Sequence, residues 1–248
     1  MQSKTFDEFW QILLQVTFHS GKPERWSKRE EKALWFKSNL QLPSGGAVAD
    51  LGCGDGVLDI WLSRMGFKVY AIDRSHSIIA HAKTEDDTKA VVFEAKDLQQ
   101  VSFPHEYFDA IIIHETIGLM SQEDDLDLLC RSFTWLKPGG RIVLDCPVSP
   151  ALENVWSKEL QDGRVDAYTF FDVVTRIHQL NFEFHSKKGD VFNLQDSCCP
   201  KRHEGPGISR YIYTETELTG LMQKAGFDVR PIDHFYGKSY FGLIGHKY

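Results

Sequence analysis

Between residues 47 and 66 a short apolar run, Ala47-Val48-Ala49-Asp50-Leu51, gives way to glycine at alternate positions, Gly52, Gly54 and Gly56. A helix follows at once, since Leu58, Trp61, Leu62 and Met65 fall at i, i+3, i+4 and i+7 of one face. A strand that feeds a glycine turn and then a helix constrains the fold more than any other stretch of this chain. It brings bare backbone N–H groups and a helix N-terminus close to a ligand, with no Cβ in the way. The spacing is G-x-G-x-G, so the dinucleotide fingerprint G-x-G-x-x-G fails at its third glycine, where Val57 stands. A nicotinamide-dependent oxidoreductase is thereby disfavoured.

The next segments continue an alternation of strands and helices. Residues 67–73 read as a strand ending on Asp73, with Ser75 placed to cap the following helix. A third strand, 90–95, ends at Lys96-Asp97-Leu98. Residues 107–114 are almost continuously apolar, as a strand buried on both faces requires, and end on His114-Glu115. A helix opening at Ser121 carries Leu126, Leu129, Phe133 and Leu136. It is expected to stop at Leu136-Lys137-Pro138-Gly139-Gly140, where glycine takes the left-handed position and proline prevents continuation, before the strand 141–146.

The acidic glycine loop, followed in order by an Asp-ended second strand, Phe108-Asp109 and the Leu-Lys-Pro-Gly-Gly turn, resembles the class I S-adenosylmethionine (SAM)-dependent methyltransferases. The resemblance is close over residues 46–146 and holds only in outline elsewhere. It implies an α/β fold: a Rossmann-like, doubly wound, seven-stranded sheet with its last strand antiparallel, N-terminal helices, and a small antiparallel β insertion after strand five. It implies SAM as methyl donor, S-adenosylhomocysteine (SAH) as product and no metal. Cofactor contacts would then fall to Asp50, Gly52, Cys53, Gly54, Gly56, Asp73, Arg74, Asp97, Leu98 and His114, with Trp26 as a lid residue. Asp73 would accept the ribose hydroxyls and Asp97 the adenine amino group. Loss of the Asp73 carboxylate is expected to leave folding nearly unchanged.

The division expected is 1–44, an N-terminal helical lid; 45–150, the SAM-binding core; 151–213, an inserted antiparallel β segment acting as acceptor platform; and 214–248, a helix and strands completing the core. In the first part Thr5 with Glu8, and Ser27 with Glu30, read as capping boxes of two helices separated by Gly21-Lys22-Pro23. In the third, 168–177, 181–185 and 191–195 read as strands, Lys187-Lys188-Gly189-Asp190 as a hairpin turn, and 210–213 as a further strand. In the last, Thr214 with Glu217 caps a helix ended by Gly226.

Methyl transfer from a sulfonium is an in-line displacement with a good leaving group, so the protein chiefly aligns the acceptor and, where the nucleophile carries a proton, removes it. His114 is the candidate base or acceptor-binding group and Glu115 a candidate partner for a cationic amine. Tyr168, Arg176 and Tyr211 are candidates from the insertion. Cys198-Cys199 with His203 does not make a zinc site, because adjacent thiolates do not both join a tetrahedron easily and no second pair exists.

Net charge is −7, the basic stretch 22–32 is interrupted by Glu24, Glu30 and Glu31, and the pairs Lys187-Lys188 and Lys201-Arg202 are short, which argues against a nucleic-acid partner. No apolar run reaches membrane-spanning length. Five scattered cysteines and an N-terminus without a basic-then-apolar pattern point to a cytoplasmic protein with reduced thiols. A small-molecule acceptor with an N, O or C nucleophile is the leading expectation. The alternatives are an RNA or protein methyltransferase, opposed by Ile113-His114-Glu115-Thr116 where amino-group methylases of bases carry an Asn/Asp-Pro-Pro-Tyr type turn, and a non-catalytic SAM-binding protein. The acceptor, the methylated atom and the oligomeric state are not legible in the sequence.

Overall fold

The computed structural model describes residues 2–4, 22–148, 153–160, 163–194, 208–233, 235 and 239–248. In chain order the described elements are β1 (Gln2–Lys4), α1 (Lys22–Leu40), β2 (Ala47–Leu51), α2 (Val57–Arg64), β3 (Lys68–Asp73), α3 (His76–Glu85), β4 (Val92–Ala95), β5 (Phe108–Ile113), α4 (Gln122–Trp135), β6 (Leu136–Pro147), β7 (Glu153–Leu160), β8 (Gly163–Asp172), β9 (Ile177–Ser186), β10 (Val191–Leu194), β11 (Ile208–Tyr211), α5 (Glu215–Lys224), β12 (Asp228–Ile232) and β13 (Tyr240–His246). They fall into two units. One comprises 1–22, 118–121 and 149–212, the other 23–117, 122–148 and 213–248.

The second of these holds a seven-stranded sheet in the order β12-β13-β6-β5-β2-β3-β4. Pairs β2–β3, β2–β5, β3–β4 and β5–β6 are parallel, whereas β13 runs antiparallel between β6 and β12. The order reverses at β2, which places the open ends of β2 and β5 side by side at the switch point where α/β sheets bind ligands. The seven-stranded α/β architecture expected from the sequence is the one observed. The strand interiors are Val, Ile, Leu and Ala because helices cover both faces.

Helix α1 joins this core. Pro23 sits in its first turn, where the missing N–H costs nothing. Ala33, Phe36 and Leu40 pack with Val48, Leu58, Leu62, Val69, Ala110, Ile112 and Val143. Its last carbonyls, Asn39 O and Leu40 O, accept from Arg141 Nη1 at 3.4 and 3.2 Å. Ser27 lies inside a helix that starts at Lys22, six residues before the Lys28 start that a Ser27–Glu30 capping box implies. The other expected N-terminal helix, from Thr5, lies outside the described residues, but Gln2–Lys4 is a strand, paired parallel with β10.

Two caps match expectation. Ser75 Oγ accepts from Ile78 N at 3.2 Å, and Thr214 with Glu217 forms a reciprocal capping box that opens α5. The end of α4 does not. Leu136 already pairs with Phe108, the register shifts between Phe108 and Ala110, and regular pairing resumes at Arg141. The Lys-Pro-Gly-Gly stretch is a bulge at the entry of β6, and Gly139, at φ +79°, turns left-handed there so that its N–H reaches Lys247 O at 2.7 Å. The helix stops because Leu136 enters the sheet, not because a glycine caps it.

The other unit is built on the order β1-β10-β9-β8-β7, with β11 also pairing to β9. All its pairs are antiparallel except β1–β10. The Lys187–Asp190 turn is a hairpin as read, with Gly189 at φ +89° and Ser186 N donating to Asp190 O at 2.8 Å. Strand β7 has no sequence forecast, since Glu153-Asn154-Val155-Trp156-Ser157-Lys158-Glu159-Leu160 mixes charges with apolar residues and lacks a clean two-residue period.

Candidate active site

The glycine loop leaves β2 with three glycines in different roles. All three have positive φ, +96° at Gly52, +55° at Gly54 and +68° at Gly56. A Cβ at Gly52 would lie 2.1 Å from Thr116 Oγ1, and one at Gly56 would lie 2.5 Å from the Phe93 ring. The missing side chains at these two positions let the loop pack closely on its neighbours. A Cβ at Gly54 would meet nothing within 4 Å, so its bare backbone faces open space. That is the cradle a bound small molecule would use.

Asp73, at the end of β3, braces this loop. Its Oδ2 accepts from Gly54 N at 3.1 Å and its Oδ1 from Ser75 N at 3.0 Å. Burial pushes its carboxyl above the ordinary value, against those two backbone donors. Asp97, at the end of β4, accepts from Gln99 N at 2.9 Å, and Leu98 beside it is buried. Arg74 is half-buried next to Asp73. Cys53 is buried, its thiol pushed well up by burial and then by Asp59 and the neighbouring acids, so it is no nucleophile. The bracing of Gly54 sets a different expectation beside the one that Asp73 is dispensable for folding. Asp73→Ala should lower SAM affinity and also cost about 1–3 kcal/mol of stability, since two backbone donors lose their acceptor. Calorimetric titration with SAH and a denaturant melt measure the two losses separately; an unchanged melt restores the simpler view.

Behind the loop lie two acids with almost no exposure, Asp50 on β2 (2%) and Asp59 in the first turn of α2 (0%). Apart from one another and the Asp59 backbone, Asp50 Oδ1 and both Asp59 oxygens meet no hydrogen-bond donor among the described residues. Two buried carboxyls facing one another hold a shared proton, since both cannot ionise. Burial raises Asp50 to about 7, relieved in part by Asp59, Lys32 and Arg29, and burial with the Asp50 charge raises Asp59 well above its ordinary value.

The polar centre of this unit forms where β5 and β6 end together. Ile113 pairs with Leu144, so His114 and Asp145 come next in register. His114 Nδ1 makes a short hydrogen bond to Asp145 Oδ2, and Asp145 Oδ1 accepts from Glu115 N at 2.7 Å. Glu115 takes φ +54°, an uncommon left-handed turn for a non-glycine residue that the Asp145 carboxylate holds in place. Thr116 Oγ1 then donates to His114 O at 3.0 Å and stands beside Gly52, which joins this turn to the glycine loop.

Lys32 completes the centre from α1. Its Nζ lies 2.6 Å from His114 Nε2, it is 2% exposed, and Phe36 one turn on packs edge-to-face on the imidazole at 5.9 Å. With Asp145 accepting from Nδ1–H, Nε2 is the lone-pair nitrogen and receives a Lys32 N–H. Two full positive charges at 2.6 Å repel by about 6 kcal/mol at an effective dielectric of about 20, so the Lys32 ammonium opposes an imidazolium beside it. Burial, then Arg29, lowers Lys32 to about 8, against the pull of Glu115, Asp145 and Asp55. Burial pushes the Glu115 carboxyl up, yet His114, a hydrogen bond with Tyr240, and Lys32 together bring it below its ordinary value. Glu115 is thus an anion 3.9 Å from His114 Nε2.

Of the sequence candidates, His114 and Glu115 come together here, and Lys32 and Asp145 are additions. Lys32 had one signal, its place on the buried stripe of α1 with Ala33, Phe36 and Leu40. The side chain of Trp26 lies outside the described residues, as do Cys198, Cys199 and His203. Tyr168, Arg176 and Tyr211 belong to the other unit. There Tyr168 is exposed, Arg176 Nε donates to Ile212 O at 2.7 Å, and Tyr211 N donates to Gly118 O at 2.9 Å. The same unit gathers Asp166, Glu183 and His185, but Asp166 already binds the Arg164 guanidinium at 2.9 Å and the Ser157 hydroxyl, so its charge is answered by protein.

Comparison with known proteins meets this geometry. Residues 48–140 match the family model described as a methyltransferase domain. YqeM of Bacillus subtilis, described as a methyltransferase, is 25% identical over 64% of this chain and 65% of its own length. Phosphoethanolamine N-methyltransferase 1 of Zea mays is 34% identical over 44% of this chain and 22% of its own. The chain therefore spans less than two thirds of the length of these curated relatives. Among solved structures, the CcbJ methyltransferase of Streptomyces caelestis superposes with a TM-score of 0.71 at 15% identity, covering 94% of this chain and 95% of that one. SAM-bound CalS10, an amino pentose methyltransferase of Micromonospora echinaspora, gives 0.66 at 15% identity over 92% and 94%. Residues 48–140 thus match a methyltransferase domain, and the chain has the α/β fold of the solved methyltransferases on which it superposes.

Proposed function

We propose that this chain is a SAM-dependent methyltransferase that acts on a nitrogen of a small amine. The observation that carries the reading is the convergence of Lys32, His114, Asp145 and Glu115 at the turn that contacts the glycine loop through Thr116. SAM, when bound, supplies a methyl group on a sulfonium whose departure needs little help. Gly54 offers the open backbone for it, with Asp73 and Asp97 as acceptors for its hydroxyl and amino hydrogens.

An amine fits the charge of the centre. Glu115 and Asp145 outweigh the single Lys32 ammonium, which favours a cationic acceptor. An ammonium must lose a proton before its nitrogen can attack, and His114 is the group whose Nε2 can receive it. The names of the relatives, a phosphoethanolamine and an amino pentose methyltransferase, support the same chemistry.

SAH at a hundredfold over its Kd should raise folding stability by about 2.7 kcal/mol, and NAD at the same concentration should leave it unchanged. A melt that responds to NAD and not to SAH removes the reading. A panel of primary and secondary amines against matched alcohols, with tritium transfer from labelled SAM as readout, then decides the atom; turnover confined to the alcohols overturns the amine.

A further inference from the structure

His114 is placed to take a proton, yet its Nε2 lone pair is already engaged by the ammonium of Lys32 at 2.6 Å. Asp145, 1% exposed, fixes the other nitrogen as the protonated one. The imidazole therefore has one acceptor position, and the lysine covers it.

We propose that Lys32 is a positioning residue that controls when His114 can accept the acceptor's proton: its ammonium form caps Nε2, and its neutral form yields it. This rests on the methyl-transfer reading. The ammonium acceptor first passes a proton to His114 Nε2, and the lone pair this frees on nitrogen then forms the N–CH3 bond as the S–CH3 bond breaks and that electron pair returns to sulfur. An ammonium at Lys32 opposes this twice, by holding the lone pair and by repelling the imidazolium. Neutral Lys32 removes both obstacles and accepts a hydrogen bond from the new Nε2–H.

Lys32 is suited to the role because it titrates within reach of working pH, at about 8, lowered by burial and by Arg29 on its own helix. The other charged groups around it are His114 and Glu115 after β5, Asp145 on β6, Asp55 in the glycine loop and Asp50 on β2. All four carboxyls favour the ammonium, which keeps the cap in place at neutral pH. At pH 6.5 only about one molecule in 30 has Lys32 uncapped, given its value of about 8.

Two measurements test this on the full chain. In nitrogen-15 imidazole spectra, taken without ligand and with SAH, the His114 Nε2 signal should move at a pH near 8 and lose that step in Lys32→Met. In turnover assays with SAM and phosphoethanolamine or another active amine, native kcat/KM should rise about 30-fold more between pH 6.5 and 9 than that of Lys32→Met. Lys32→Arg, which never loses its charge, should be at least about 30-fold below native at pH 9 and below Lys32→Met at pH 6.5. A merely structural lysine gives the opposite order, with arginine the better substitute. That order, or a His114 signal without the step near 8, overturns the proposal. A native chain that shows the step but binds no SAH instead overturns the methyl-transfer reading and leaves the Lys32–His114 coupling standing.

Discussion

Replacing His114 with alanine should lower kcat by roughly 10²–10⁴ and leave SAM affinity within a fewfold. The loss follows from geometry. The Asp145 carboxylate fixes Nδ1 as the donor, and the imidazole is set on the turn that touches the glycine loop, which leaves Nε2, beside Lys32, as the nitrogen that would take the proton. Alanine removes that acceptor and also leaves Asp145, a buried carboxylate, without its imidazole partner. His114→Gln separates these effects, because the amide can still donate to Asp145 but cannot take a proton. Both variants should share the loss in kcat, and only alanine should add a drop in melting temperature. If glutamine keeps native kcat and the loss in both appears in KM, His114 binds the acceptor and removes no proton.

The sequence made half of this centre visible. A glycine loop between a strand and a helix is a local pattern, and local patterns are legible: β2, the Ser75 cap, the Thr214 capping box and β13 all lie where the residues say. His114 could be placed at a strand end for the same reason. Asp145 could not be joined to it, because 31 residues separate them and only the β5–β6 register makes them neighbours. Register depends on the bulge at Lys137–Gly140, which the sequence presents as an ordinary helix stop. Lys32 was hidden by its chemistry, since a lysine on an amphipathic helix is read as solvated, and its burial follows from the packing of α1 on the sheet. β1 is three residues long and exists only through its partner β10, so no local signal could announce it.

The second large effect concerns stability. Asp59→Asn should stabilise the protein at pH 8 by about 2–4 kcal/mol and change little at pH 4. Burial raises Asp50 from 3.8 to about 7, held back by a hydrogen bond from Asp59, and burial with the Asp50 charge raises Asp59 well above its ordinary value. A carboxyl whose folded value lies above its unfolded one binds more protons in the native state across that interval. Stability therefore falls as pH rises from about 4, through the ionisation of Asp50 near 7 and on until Asp59 has ionised as well. Each pH unit by which the fold raises a carboxyl is worth about 1.4 kcal/mol of stability lost once that group ionises. Asparagine at 59 keeps the shape, cannot ionise, and offers Asp50 an N–H in place of the shared carboxyl proton. Asp50 can then ionise at lower cost, facing Lys32 across the site. Unfolding free energies measured at half-unit intervals from pH 4 to 8 should show the native slope flattened in the variant. An unaltered slope means the proton resides on neither carboxyl, and the pair must then be held by some other group.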